Sequence, residues 1–154
     1  MSGPADLLAL LVEEVGRALP PGRALPDVLE VGCGDGTLTA RLRDAHPGAA
    51  LLATDASVRA VGLVAARGVP ARVLDATAMD LSGAAYDVVV AGRLDALGDL
   101  DAVLPEVRRV LRGGGSLVGA TGAGDAEAHR AALEGRFRRV SRTDVAGRVL
   151  LVAR

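Results

Sequence analysis

Residues 28 to 37 read Val28-Leu29-Glu30-Val31-Gly32-Cys33-Gly34-Asp35-Gly36-Thr37, an apolar run closing on an acid and three alternate glycines, with the helical spacing of Leu38 to Leu42 directly behind it. A short apolar run bounded by glycine reads as a buried strand, and the change of period reads as a strand-to-helix turn. Glycines at 32, 34 and 36 remove the Cβ atoms that would obstruct such a turn, so backbone N–H groups and the helix N-terminus can approach a small ligand closely. A dinucleotide fingerprint, G-x-G-x-x-G, would put its third glycine at position 37, which is Thr37. That mismatch disfavours an NAD-dependent oxidoreductase.

Three further apolar runs extend the pattern. Ala50 to Ala53 closes on Thr54-Asp55, a carboxylate at a strand tip where it can accept both ribose hydroxyls of a nucleoside. Ala71 to Leu74 closes on Asp75-Ala76-Thr77, and Tyr86 to Ala91 is followed by Leu111-Arg112-Gly113-Gly114-Gly115-Ser116-Leu117-Val118. In this order the five markers resemble those of the class I S-adenosylmethionine-dependent methyltransferases, with E-x-G-x-G-x-G at Glu30 to Gly36 standing for the family's first motif. The resemblance covers nearly the whole chain. It implies an α/β fold: a doubly wound, mostly parallel, Rossmann-like seven-stranded sheet of order 3-2-1-4-5-7-6, with an antiparallel last strand and helices on both faces.

It also implies S-adenosyl-L-methionine as cofactor and S-adenosyl-L-homocysteine as product. Glu30 would interact with the methionine part, and Gly32, Cys33, Gly34 and Gly36 would form the turn beneath the ligand. Asp55 and Ala56 would meet the ribose, Asp75 and Ala76 the adenine, and Ala91 would close the fourth strand at the cofactor. Asp80 competes with Asp75 for the adenine, but Asp75 directly follows a strand and Asp80 lies out in the loop. Asp55 has an alternative role as a helix cap, with Ser57 available to cap in its place.

Strands are predicted near 27–31, 50–54, 71–74, 86–91 and 116–120, with helices near 37–45, 57–67, 100–111 and 125–134. The runs 137–143 and 147–153 flank a turn at Ala146-Gly147, and the segment 76–85 reads as loop. Leu7, Leu8, Leu10, Leu11, Val15 and Leu19 recur at helical spacing, so residues 1–20 are expected to form a leading amphipathic helix, 21–26 a linker, and 27–154 the core of a single methyltransferase-like domain. The resemblance places the leading helix over the carboxyl ends of the strands. Its apolar surplus would suit a homodimer or a protein partner.

Bulk properties exclude several classes. The 154 residues carry a net charge of -1 and only 1% aromatics, which provides neither a basic footprint nor a stacking platform for nucleic acid, and nothing to draw the chain to an anionic membrane. The single cysteine rules out an internal disulfide, and no metal-ligand cluster is apparent. Without a spanning segment or a signal-like start, the expected location is cytoplasmic. Every basic residue is Arg; the chain contains no Lys, Asn, Gln, Ile or Trp. An Asn-Pro-Pro-type amine methylation site and a Lys-based RNA ribose site are therefore excluded.

After the fourth strand, Arg93 and Asp95 are the ionisable residues at the sheet edge, and they are the candidate catalytic pair, with Asp95 the base if there is one. Cys33 is expected to pack rather than react, Asp35 to point outward, Tyr86 and Phe137 to be core aromatics, and His46 and His129 to lie at the surface. The expected activity is methyl transfer to an O, N or C nucleophile of a small molecule or a carrier-bound intermediate. The alternative is a non-catalytic partner or regulatory domain that binds the same cofactor.

Overall fold

The computed structural model describes residues 6–154, so the first five residues of the expected leading helix lie outside the description. Seven strands form one sheet in the order β3-β2-β1-β4-β5-β7-β6. They are β1 (Asp27–Val31), β2 (Ala50–Asp55), β3 (Ala71–Val73), β4 (Tyr86–Ala91), β5 (Leu111–Gly122), β6 (Val140–Val145) and β7 (Arg148–Ala153). Strands β3, β2, β1, β4 and β5 are parallel, while β7 runs antiparallel to both β5 and β6. The Rossmann-like order expected from the sequence is the order found.

The helices are α1 (Leu7–Ala18), α2 (Thr37–Ala45), α3 (Val58–Ala65), α4 (Leu100–Val110) and α5 (Ala126–Glu134), with a 3-10 turn at Leu94–Ala96. The continuous Val and Leu runs of the central strands follow from burial on both faces. On one face Leu29, Val89 and Leu117 pack under Val103, Leu104 and Val107 of α4 and Leu133 of α5. On the other, Val28, Val88, Val90 and Val118 pack under Leu11 and Val15 of α1 and Leu38 and Leu42 of α2.

This corrects the expected position of the leading helix. Leu11 and Val15 are fully buried against the sheet face, and Leu7, Leu8, Leu10 and Val12 are partly buried in the same cluster, so α1 is chiefly a core element on one sheet face and reaches the cleft at the strand ends through Leu8. His46 is half-buried rather than free at the surface: its Nε2 donates to the Val12 carbonyl at 2.8 Å, fastening the end of α2 to α1. His129 is half-buried and shares a 2.7 Å hydrogen bond between its Nδ1 and the hydroxyl of buried Thr121.

The segment 76–85 contains no helix, as expected, yet it is firmly held. Arg109 of α4 donates to the carbonyls of Met79 and Leu81, both at 2.7 Å, and Glu106 accepts the Met79 N–H at 2.6 Å. Strand β5 begins earlier than expected, at Leu111, with a register shift opposite Tyr86 and Val88 that absorbs the three glycines 113–115. The last hairpin turns on Ala146 and Gly147 at φ 47° and 80°, the left-handed pair that a two-residue turn requires.

Candidate functional site

A cleft of about 800 Å³ opens at the carboxyl ends of β1, β2 and β4 and beyond the end of β3. In open α/β sheets this edge, where the strand order reverses between β1 and β4, is where a crevice forms. Among the expected cofactor residues, Glu30, Gly32, Cys33, Gly34, Asp55, Ala56, Asp75 and Ala76 all line it. Gly36 and Ala91 do not. Gly36 starts α2 at φ 84°, and a Cβ there would come within 2.9 Å of Arg67 and 3.0 Å of Val64, so its role is to let α2 pass close to α3. Ala91 is 1% exposed and belongs to the core beneath the cleft.

The glycine turn differs from a phosphate-binding loop in what its amides do. The N–H groups of Gly32 and Cys33 both donate to the Thr54 carbonyl at 2.9 Å, that of Gly36 to the Cys33 carbonyl at 3.0 Å, and that of Gly34 to Asp55 Oδ2 at 2.9 Å. These four amides are therefore engaged by the protein itself. What the turn offers is shape: Gly34 lines the cleft at φ 54°, and a Cβ placed on it would meet nothing within 4 Å.

Glu30 is 1% exposed. Burial pushes its carboxyl up to about 7, partly offset by a hydrogen bond from Thr39 Oγ1 of α2 and reinforced by the nearby charges of Asp55 and Asp35. Asp55 accepts from Ser57 N–H at 2.9 Å through the oxygen not used by Gly34, while Ser57 itself caps α3 by accepting the Ala60 N–H at 3.2 Å. Each carboxylate oxygen offers two lone pairs, so Asp55 retains acceptor capacity toward the cleft. Asp75 accepts both the N–H and the hydroxyl of Thr77 on one oxygen, at 2.8 and 2.7 Å, and these bonds hold its pKa below the ordinary value. Asp80 points away from the cleft, paired at 3.2 Å with Arg72.

Burial pushes the Cys33 thiol up to about 11, with Glu30 and Asp55 adding to it. Together with its packing against Ala53, Ala60, Val64 and Val69, this makes Cys33 a structural residue. Asp35 is an exposed residue at the cleft margin, accepting the Thr37 N–H at 2.9 Å.

The candidate catalytic pair is split. Arg93 lines the cleft, and Asp95 does not. Asp95 accepts from Arg93 at 3.2 Å and from Arg148 of β7 at 3.3 Å. Burial alone would raise its pKa, but the Arg93 hydrogen bond and the Arg148 charge outweigh burial and hold it below the usual carboxylate range. A carboxylate held in that state between two guanidiniums is a weak proton acceptor. Leu8, Leu74 and Leu97 supply apolar walls that the sequence reading did not assign to the site. The adjacency of Leu74 to Asp75 was the only local signal for any of them.

Comparison with known proteins agrees with this geometry. The family described as Methyltransferase domain matches residues 28–115. Malonyl-[acyl-carrier protein] O-methyltransferase from Hahella chejuensis is 35% identical over 124 residues, 75% of this chain and 44% of that protein. The CurJ carbon methyltransferase superposes with a TM-score of 0.79 at 18% identity, covering 96% of this chain and 53% of that one. A SAM-dependent methyltransferase from Aquifex aeolicus superposes at 0.75 with 18% identity, covering 92% and 88%. The chain thus spans about half the length of the first two.

Proposed function

Because the chain belongs to the methyltransferase-domain family, whose match extends over more than half of it, we propose that it transfers a methyl group from S-adenosylmethionine to an O, N or C nucleophile of a small molecule or a carrier-bound intermediate. The observation that carries this reading is the placement of one acid at or just beyond each of three neighbouring strand ends, Glu30, Asp55 and Asp75, along a single cleft. The residues present fit an adenosyl amino acid. Gly34 leaves open the volume a side chain would fill, the turn's amides are not held out for phosphate, and Asp55 and Asp75 keep acceptor capacity for hydroxyls and an amine.

When bound, S-adenosylmethionine supplies an electrophilic methyl on a sulfonium with a good leaving group. The chain's own task is then mainly placement. Holding an acceptor at near-attack distance contributes roughly 7–11 kcal/mol through proximity and orientation. Glu30 places a buried acid in the cleft, Asp55 fixes the glycine turn, and Leu8, Leu74 and Leu97 exclude water from their part of the wall. A carrier-bound acceptor is supported by the name of the 35% identical relative, a malonyl-[acyl-carrier protein] O-methyltransferase.

One observation favours the second reading, a cofactor-binding partner domain: among the described residues, those lining the cleft include no His and no Tyr to serve as a base. Calorimetric titration with S-adenosylhomocysteine, followed by incubation with methyl-labelled donor and pools of metabolites and acyl thioesters, separates the two. Labelled acceptor with matching S-adenosylhomocysteine supports catalysis. Binding without turnover favours the partner domain, and absence of binding overturns both.

A further inference from the structure

Of the ionisable side chains that line the cleft, Glu30, Asp35, Asp55 and Asp75 are acids, Cys33 is a buried thiol, and Arg93 is the one cation among the described residues. A cation opposes the binding of a sulfonium unless it meets an anion. Among the described residues Arg93 is bound only through Nη2 to Asp95, and Asp95 divides its single charge with Arg148, so the triad carries a net positive charge. Its side chain is 66% exposed, leaving donors of the guanidinium fork open.

The backbone that carries Arg93 is fixed. Leu94, 1% exposed, seats on β5 where a Cβ on Gly119 would come within 2.8 Å of it, and Leu97 closes on Gly32 in the same way at 3.1 Å. The triad also lies on the far side of the cleft from Asp55 and Asp75: Arg93 follows β4, and Arg148 opens β7, paired in register with Gly122 at the end of β5. The adenosyl-facing acids belong to β2 and to the segment after β3, so the cation stands toward the side left for the acceptor.

We propose that Arg93 is a specificity-determining residue that receives a carboxylate of the methyl acceptor, and that the acceptor is accordingly an anion bearing a free carboxylate. This rests on the methyltransferase reading. Asp95 and Arg148 act as positioning residues, setting the direction of the guanidinium while leaving its excess charge available. A planar fork matches a carboxylate with two parallel N–H···O bonds, so Lys at this position provides charge without the geometry.

The test is calorimetric, on the full chain saturated with S-adenosylhomocysteine, using malonyl-N-acetylcysteamine as the charged probe and acetyl-N-acetylcysteamine as the neutral one. The wild type is expected to bind the charged probe at least about tenfold more tightly. Arg93→Gln should reduce that preference to within twofold while leaving S-adenosylhomocysteine affinity unchanged, Arg93→Lys should retain part of it, and Arg142→Gln, remote on β6, should retain all of it. Equal binding of the two probes by the wild type, or an undiminished preference in Arg93→Gln, overturns the proposal. So does a parallel loss of S-adenosylhomocysteine affinity in that variant, which would assign the cation to the amino-acid carboxylate of the cofactor. Failure of the wild type to bind S-adenosylhomocysteine is a separate result and overturns the underlying reading instead.

Discussion

Asp55 Oδ2 accepts the Gly34 N–H at 2.9 Å, tying the tip of β2 to the turn that leaves β1. One carboxylate therefore shapes the glycine turn and lines the cleft. Asp55→Ala removes both and should weaken S-adenosylmethionine binding roughly ten- to a hundredfold, since bonds to a charged group contribute about 1.5–3 kcal/mol net. Asp55→Asn keeps one oxygen for the Gly34 or the Ser57 N–H and sets its NH2 against the other, so it should weaken binding as well, by less than Asp55→Ala. Calorimetry on both variants checks this; binding within twofold of wild type in Asp55→Ala would move the ribose site elsewhere.

Asp75 lines the cleft and Asp80 does not, so base selectivity should follow the first alone. Asp75→Ala should erase most of the preference for S-adenosylhomocysteine over its inosyl analogue, because a site built to pair with an amine rejects the analogue by leaving its own polar group unpaired. Asp80→Ala should leave that preference intact. The competition titration is read as a ratio, so a modest loss of total affinity does not disturb it.

Glu30 gives the chain a pH dependence whose sign differs from that of an ordinary paired carboxylate. Its folded pKa of about 7 lies above the ordinary 4.5, so at pH values between the two the folded chain holds a proton that the unfolded chain has lost. Stability from this group is complete below about 4.5 and falls as pH rises through about 7, by about 3 kcal/mol in all at 1.36 kcal/mol per pKa unit. Urea denaturation at pH 5 and pH 8 measures it. Glu30→Gln, which can still accept from Thr39, should flatten that part of the profile; an unchanged slope would mean that Glu30 is ionised throughout.

The strand ends were legible because chemistry and geometry coincide there: an apolar run must stop where the chain leaves the sheet, and Glu30, Asp55 and Asp75 sit at those stops. The strand order needed more than periodicity, and the resemblance supplied it. Long-range partners were not legible. Nothing around His46 signals the Val12 carbonyl 34 residues earlier, and nothing near Asp95 signals Arg148 from β7. The glycine turn misled in one respect, since spacing shows that amides can come close to a ligand but not that Thr54 and Asp55 have already engaged them.

The position of α1 changes what its removal should do. Had the helix covered the strand ends, loss of residues 1–20 would have spared the fold and removed only turnover. Instead Leu11 and Val15, both at 0% exposure, roof Val88, Val90 and Val118, and His46 of the α2 terminus depends on the Val12 carbonyl. Deletion should therefore abolish cooperative unfolding, and Leu11→Ala alone should cost about 2–5 kcal/mol through lost burial and the cavity left behind. Leu8, half-buried at the cleft wall, is the residue through which α1 can influence binding separately. Leu8→Ala should weaken ligand affinity while lowering stability less than Leu11→Ala. Thermal denaturation with calorimetry on the two point variants and the truncation distinguishes these roles, and a truncated chain that still unfolds cooperatively with wild-type stability would return α1 to the role of a dispensable cover.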